Sequence, residues 1–397
     1  MEGRPTTSLL AVQRHSGHRR AAQRPAILLS RTGHQCCRAI LLEVPAFGPG
    51  RAASVQEPDD GSSELIELGR TLFQKTFSPA EGLGPLFNGR SCIECHVSPV
   101  SGGTAPEGVG FVLRVGRRAP GGRFDPLIGR GGPIARAHTV ADAGLPCRAV
   151  SGIPVAANIT SVRSASALFG LGLVDAVPDA AISALAAGGT AGRMNLVRGA
   201  DGQERVGRFG WKADTAALDQ FVADAFRNEL GITSPLAPVD LVAPAPGCGT
   251  GAGLDDDGTA VRAVAAYIRS LPPLPPGELS SQAGAAVFTE IGCSACHVPA
   301  LPGPDGQSVM LYSDLLLHDM GASLDDGVVQ GGAGGADWRT APLWGVGHRS
   351  RLLHDGRATS LAAAVLAHDG EGAEAALAFR NLPSLQHYQL LAFLESL

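Results

Sequence analysis

No run of apolar residues in this 397-residue chain approaches the eighteen or so that a membrane-spanning helix needs, so it reads as having no membrane span. Nor is there an excess of positive charge: the net charge of −5 excludes the electrostatic footprint of a nucleic-acid partner. A clean leader is missing too. Residues 1–60 are rich in Arg and His, carry Arg19-Arg20, and offer only a broken apolar run from Ala39 to Phe47, interrupted by Glu43. A cleavable signal needs a cleaner stretch than that. The segment is read as an atypical leader, disordered or not native coding sequence, and is set aside from the fold. Glycine and proline are not scarce: 53 and 28 of them point to long ordered loops between short helices. A hydrophobic content of 44% is that of a globular chain, and the length suits about two domains.

Two pentapeptides carry the chemistry. Cys92-Ile93-Glu94-Cys95-His96 and Cys293-Ser294-Ala295-Cys296-His297 are both C-x-x-C-H, the attachment signal of c-type haem. In that chemistry Cys92 and Cys95, and Cys293 and Cys296, bond covalently to haem vinyl groups, while His96 and His297 become the proximal iron ligands. A zinc site built from two C-x-x-C pairs would place them within about 20 residues, whereas Cys92 and Cys293 are 201 positions apart. A redox C-x-x-C needs a βαβ surround that neither copy has. The expectation is two haem c groups. Cys36, Cys37, Cys147 and Cys248 are then left over, and of these Cys147 and Cys248 could pair in a disulfide, as an oxidising compartment allows, or remain thiols.

The chain repeats itself. Gly69-Arg-Thr-Leu72-Phe73 precedes the first motif, and Gly284-Ala-Ala-Val287-Phe288 the second. An amphipathic helix through Val261, Val264, Tyr267, Ile268 and Leu271 has a counterpart through Leu390, Leu391, Phe393, Leu394 and Leu397. A helix before C-x-x-C-H and another closing the unit outline a cytochrome c domain. The spacing predicts a mainly α, loop-rich fold of two cytochrome c-like domains in tandem, residues 61–271 and 279–397, each built around a covalent haem. The Pro-rich linker 272–278 breaks any helix between them. Arg163…Leu168-Phe169-Gly170-Leu171-Gly172 also resembles Arg339…Leu343-Trp344-Gly345-Val346-Gly347. Downstream of the second copy, Ser360 is an N-cap and Gly370 a stop, so Leu361, Val365 and His368 share one helix face. His368 is the expected distal ligand of the second haem, with His318 and Met320 as alternatives. Met310 reads as surface or filler. Counting the same distance in the first copy lands in Ala186-Ala187-Gly188-Gly189, which cannot bind iron. The first haem is therefore expected to be open and reactive, the second closed and electron-carrying.

These segments, with Gly82–Cys92, Arg208–Ala213, Tyr312–Gly321, Trp338–Gly345 and Leu353–Ala358, resemble the di-haem oxidoreductases, also labelled thiol oxidoreductases. That family lies within the bacterial di-haem cytochrome c peroxidase superfamily, and the likeness spans residues 64 to 397. It implies an N-terminal peroxidatic haem, a C-terminal electron-transfer haem and often calcium between the domains. It also implies a distal ligand fourteen residues after the His of a His-Asp-Gly motif; from His354 that count reaches His368, where the peroxidases generally carry Met. Histidine there lowers the potential. The tryptophan that bridges the haems in those enzymes is not matched at Phe169 or Gly170. Trp211 is the candidate replacement, unless it, Trp338 and Trp344 are core aromatics.

Cleaving peroxide requires an acid/base and a cation. His138, Glu204, Arg163 and Lys212 lie in the first unit as candidates, and His138 could also cap the first iron at rest. His354 and Asp355 are expected to hold a propionate or a loop. The leading expectation is an exported, periplasmic enzyme reducing hydrogen peroxide or another small oxidant, fed by a small redox protein or a quinol-linked donor. The other readings are a di-haem electron carrier without substrate, or a ferryl-based oxidase of an organic or protein substrate.

Overall fold

Residues 60–106, 108–188, 192–199, 201–242, 248, 253–277 and 281–397 are described by the computed structural model. The leader and Gly189 lie outside them. Among the described residues are nine α-helices: α1 (Asp60–Gln74), α2 (Leu171–Ala176), α3 (Asp179–Ala187), α4 (Leu218–Ala225), α5 (Thr259–Ser270), α6 (Gln282–Glu290), α7 (Leu361–Leu366), α8 (Ala373–Arg380) and α9 (Ser384–Glu395). Helix accounts for 34% and strand for 17%, so the expectation of a mainly α fold is corrected. The Gly- and Pro-rich connections do not stay irregular. They pair as short strands, and an antiparallel sheet forms where Phe111–Arg118 runs beside Phe124–Asp125, Ile134–Ala135 and Ile159–Ser164.

Two helix pairs frame the fold, and their contacts repeat. In α1, Ile66, Leu72 and Phe73 turn inward against Val264, Tyr267 and Ile268 of α5. In α6, Val287 and Phe288 meet Leu390, Phe393 and Leu394 of α9. Gly69 and Gly284 make both crossings close: a Cβ on either would collide with a backbone carbonyl, that of Ala263 or of Gln389. A mid-helix glycine costs about 1 kcal/mol against alanine, and here the close approach is what it secures. The rings follow suit. Phe73 lies 5.3 Å from Tyr267 and 6.5 Å from His96; Phe288 lies 5.5 Å from Phe393 and 6.3 Å from His297.

The second repeated segment closes each pair. Gly170 (φ 77°) donates its N–H to Leu271 O at 3.0 Å, just past α5, and Gly345 (φ 60°) donates to Leu397 O at 2.8 Å, just past α9. Each glycine also receives a ring from the other copy, Trp344 on Gly170 and Phe169 on Gly345. The two copies of this segment thus pack reciprocally. One apolar cluster gathers α1 to α5 but also takes Leu301, Val309, Leu311, Leu315, Leu316 and Trp344, so it is not confined to the chain before the linker. Cys147 and Cys248 form a disulfide, the first of the two readings open to them.

Candidate functional site

Each C-x-x-C-H opens as a single 3₁₀ turn, Cys293–Ala295 directly after α6 and Cys92–Glu94 after a longer connection from α1. The backbone then folds back, His96 N–H donating to Cys92 O at 3.1 Å and His297 N–H to Cys293 O at 3.0 Å. The two pairs belong to different apolar clusters, which disposes of a shared zinc site. Desolvation pushes the Cys92 thiol up to about 12 and that of Cys293 up to about 11, so in the chain by itself both are neutral thiols.

The donor set fits haem. The Nδ1–H of His96 donates to Gly103 O at 3.2 Å, and that of His297 to Tyr312 O at 2.9 Å. A bond of this kind fixes the tautomer and the ring plane, and it leaves Nε2 with its lone pair for a metal. Burial lowers both imidazole pKa values, that of His297 to about 4, which keeps the rings neutral as ligation requires.

His368 has the same dress. Ser360 caps α7, its Oγ accepting from Ala363 N–H at 3.1 Å, and about two turns later His368 Nδ1 donates to Ala364 O at 2.8 Å. Desolvation lowers its pKa, and it lies close enough that its charge would lower that of His297. Met320 packs against Gly372 beside the His368 side chain. His318, one of the two alternatives to His368, is differently bonded. Its Nε2 bonds Asp314 Oδ2 at 2.9 Å and its Nδ1 bonds Glu371 Oε2 at 2.7 Å, so neither nitrogen is left over. Desolvation opposes its protonation, but Asp314 leads the groups that raise it to about 11. Cys296, Asp314 and His318 are the one group of three metal-capable side chains among the described residues, and that bonding accounts for it.

In the first half, α3 ends at Ala187 and is followed by Gly188. The nearby thioether of Met194 accepts the Ser183 hydroxyl at 3.3 Å. His138 is half-exposed at the surface, 3.7 Å from Asp142, and Glu204 is exposed. Sequence reasoning missed Glu229, on a π-turn extending α4. Burial raises its pKa, Asn88 Nδ2 donates to it at 2.9 Å, and its charge reaches Cys95. Nothing in its spacing marks it out.

Arg163 and Lys212 are brought together, though with partners from the second half rather than as a distal pair. Arg163 ion-pairs with Asp326 and lies 4.5 Å over the Trp338 ring, while Lys212 Nζ lies 3.9 Å from that ring. His354 stacks on Trp338, and its carbonyl accepts from Ser164 N–H at 2.7 Å. Trp211 donates from Nε1 to Ser164 O at 2.9 Å, and its own carbonyl accepts from Arg339 N–H at 2.9 Å. Asp326 holds the Arg163 guanidinium in this arrangement.

The chain matches the model of the family described as "Di-haem oxidoreductase, putative peroxidase" over residues 156–266 and 277–397. Among solved structures it is similar to a MauG-like protein associated with microbial copper homeostasis, with 15% identity, a TM-score of 0.42 and coverage of 90% of this chain and 95% of that one. The diheme peroxidase BthA of Burkholderia thailandensis gives 16% identity, a TM-score of 0.42 and 87% of each chain. Hydrazine synthase of Kuenenia stuttgartiensis gives 15%, 0.42, and 90% and 99%. No curated protein matches.

Proposed function

The chain belongs to the di-haem oxidoreductase family, a family of redox enzymes, and from that premise we propose that it reduces hydrogen peroxide at the N-terminal haem with electrons relayed by the C-terminal haem. The observation that carries this reading is an asymmetry between otherwise matched halves. In the second half His368 has its Nδ1 held by Ala364 O, as the ligating histidines have theirs, whereas in the first half α3 ends on Ala186 and Ala187 with Gly188 after it.

Bound haem would supply an iron that exchanges single electrons and, where one face is open, takes a small oxidant. The rest falls to the chain. Cys92, Cys95, Cys293 and Cys296 would tether the two groups, and Gly103 O and Tyr312 O hold His96 and His297 in the ligating tautomer. In this reading His368 closes the second site. Trp211, bonded to both Ser164 and Arg339, is the proposed bridge, and His138 the proposed resting cap of the first site. The two-domain division at 272–278 and export to an oxidising compartment belong to the same proposal. The Cys147–Cys248 disulfide supports the compartment, and no described helix is long and apolar enough to cross a membrane. A small redox protein or quinol-linked donor would deliver the electrons.

The test is cyanide binding to the ferric and the half-reduced protein. One haem of the two should respond, with activity following its occupancy. Were both spectra to stay unchanged in both states, the electron-carrier reading would replace this one.

A further inference from the structure

Lys75 and Lys212 are the only lysines in a chain with 32 basic residues, so arginine is used almost everywhere that a positive charge is wanted. Lys212 is fully buried. Its three ammonium protons meet three backbone carbonyls, Gly334 O at 2.6 Å, Gly335 O at 2.8 Å and Asp337 O at 3.0 Å. Asp326 Oδ1 stands at 3.4 Å and the Trp338 face at 3.9 Å. Converging backbone carbonyls with one carboxylate form an oxygen cage of the kind that binds free cations. A compact ammonium fits it, and a planar guanidinium does not.

We propose that loop 325–337 is a cation-binding loop whose cation is the chain's own Lys212 ammonium, so that the loop needs no free ion.

The loop is shaped for this. Gly335 packs so tightly on Asp325 and Gly327 that no side chain fits there, and the Asp326 and Asp325 carboxylates accept from Val328 and Gly327 N–H. Asn195 stitches cage to cation, donating to Lys212 O at 2.9 Å and Gln330 O at 3.1 Å while accepting from Gly332 N–H at 2.8 Å. On the other side, the buried Ala213 takes φ 50°, a conformation costly for a residue with a Cβ. That turn delivers Lys212 to the loop. Desolvation pulls the Lys212 pKa down to about 8 against the pull of Asp326, so at neutral pH it is still an ammonium.

The consequence is that the join between segment 208–213 and loop 325–337 is independent of dissolved cations. In the haem-loaded protein, Lys212→Ala should lower the melting temperature by about 5–10 °C, since it leaves three buried carbonyls without a donor and Asp326 with Arg163 as its one remaining cation. Methylammonium chloride should restore most of that loss, and tetramethylammonium chloride at equal ionic strength, too large for the cage, should not. Lys212→Met, which fills the space without charge, should stay destabilised. Wild-type melting should not respond to chelator or added calcium. Equal rescue by both salts, a wild-type-like Lys212→Met, or a calcium-dependent wild type would each overturn the assignment. If Lys212→Ala does not fold, the wild type still carries the test. Labelled at lysine Nζ it has two ammonium groups, and the caged one should exchange protons about a hundredfold slower than Lys75, a difference whose absence would equally overturn it.

Discussion

The rings of Trp338 and His354 lie parallel, centroids 3.6 Å apart and planes within 9°. The imidazole is buried, and its pKa falls to about 4, chiefly by desolvation, with Arg163 adding to the effect and Asp355 opposing it. An unfolded histidine titrates near 6.5, so between about 6.5 and 4 the folded state holds fewer protons than the unfolded one. Stability from this group is therefore present above the unfolded value and lost as the pH falls through the folded one. His354→Phe keeps the stack and removes the titration. Urea unfolding across that range should give a flatter pH dependence for the variant; two parallel profiles would show that His354 plays no such part.

The same tryptophan should be a poor electron carrier. Removing an electron from the indole creates positive charge beside Arg163 at 4.5 Å and Lys212 at 3.9 Å, and those cations that favour the neutral ring oppose the oxidised one. Trp211 has neither cation over it among the described contacts. Trp338→Phe should leave the rate of electron transfer between the haems within about twofold, whereas Trp211→Phe should slow it about tenfold or more, since 1.4 kcal/mol of barrier is a tenfold change. Flash reduction followed at each haem's absorbance band would read both rates. The opposite ranking would move the bridge to Trp338.

The duplication makes a stability test of its own. Replacing glycine by alanine inside a helix ordinarily gains about 1 kcal/mol. At Gly69 and Gly284 the added carbon would strike Ala263 O or Gln389 O, so each variant should instead lose about 1–3 kcal/mol by overpacking. Denaturant midpoints decide it. If one variant gains stability, its helix crossing is looser than its counterpart.

How far these features could be read beforehand depended on distance along the chain. The C-x-x-C-H turns, the glycine before each, the helices ending at Leu271 and Leu397 and the Ser360 cap are local patterns, and all could be read before any coordinates. The cluster around Trp338 could not, because Arg163 and Asp326 are 163 positions apart and each alone reads as a surface charge. The bonding of His318 was hidden for the same reason: Asp314 lies four positions away in sequence, but Glu371 arrives from 53 positions on and takes the second nitrogen. Helix content was overestimated where long-range pairing turned loops such as Ile159–Ser164 into strands. Lys212 did leave a signal, its rarity in an arginine-rich chain, which becomes meaningful only beside the carbonyls of Gly334, Gly335 and Asp337.

His368 is the residue on which the proposed division of labour between the two halves turns. Its Nδ1 is pinned to Ala364 O at 2.8 Å, one turn back along α7, so Nε2 is the atom presented outward. The competing histidine is spent on Asp314 and Glu371, which leaves Met320, packed on Gly372 beside it, as the other candidate. His368→Ala should turn the second haem from low to high spin and let it bind cyanide, with the first haem unchanged. His368→Met should keep it low-spin and raise its potential on the order of a hundred millivolts, a modest part of the ~0.8 V that axial ligands span. Absorbance spectra and a redox titration separate these outcomes. A second haem still low-spin in His368→Ala would assign the iron to Met320, and only the loss of that signal in a His368→Ala/Met320→Ala double variant would then identify the sixth ligand.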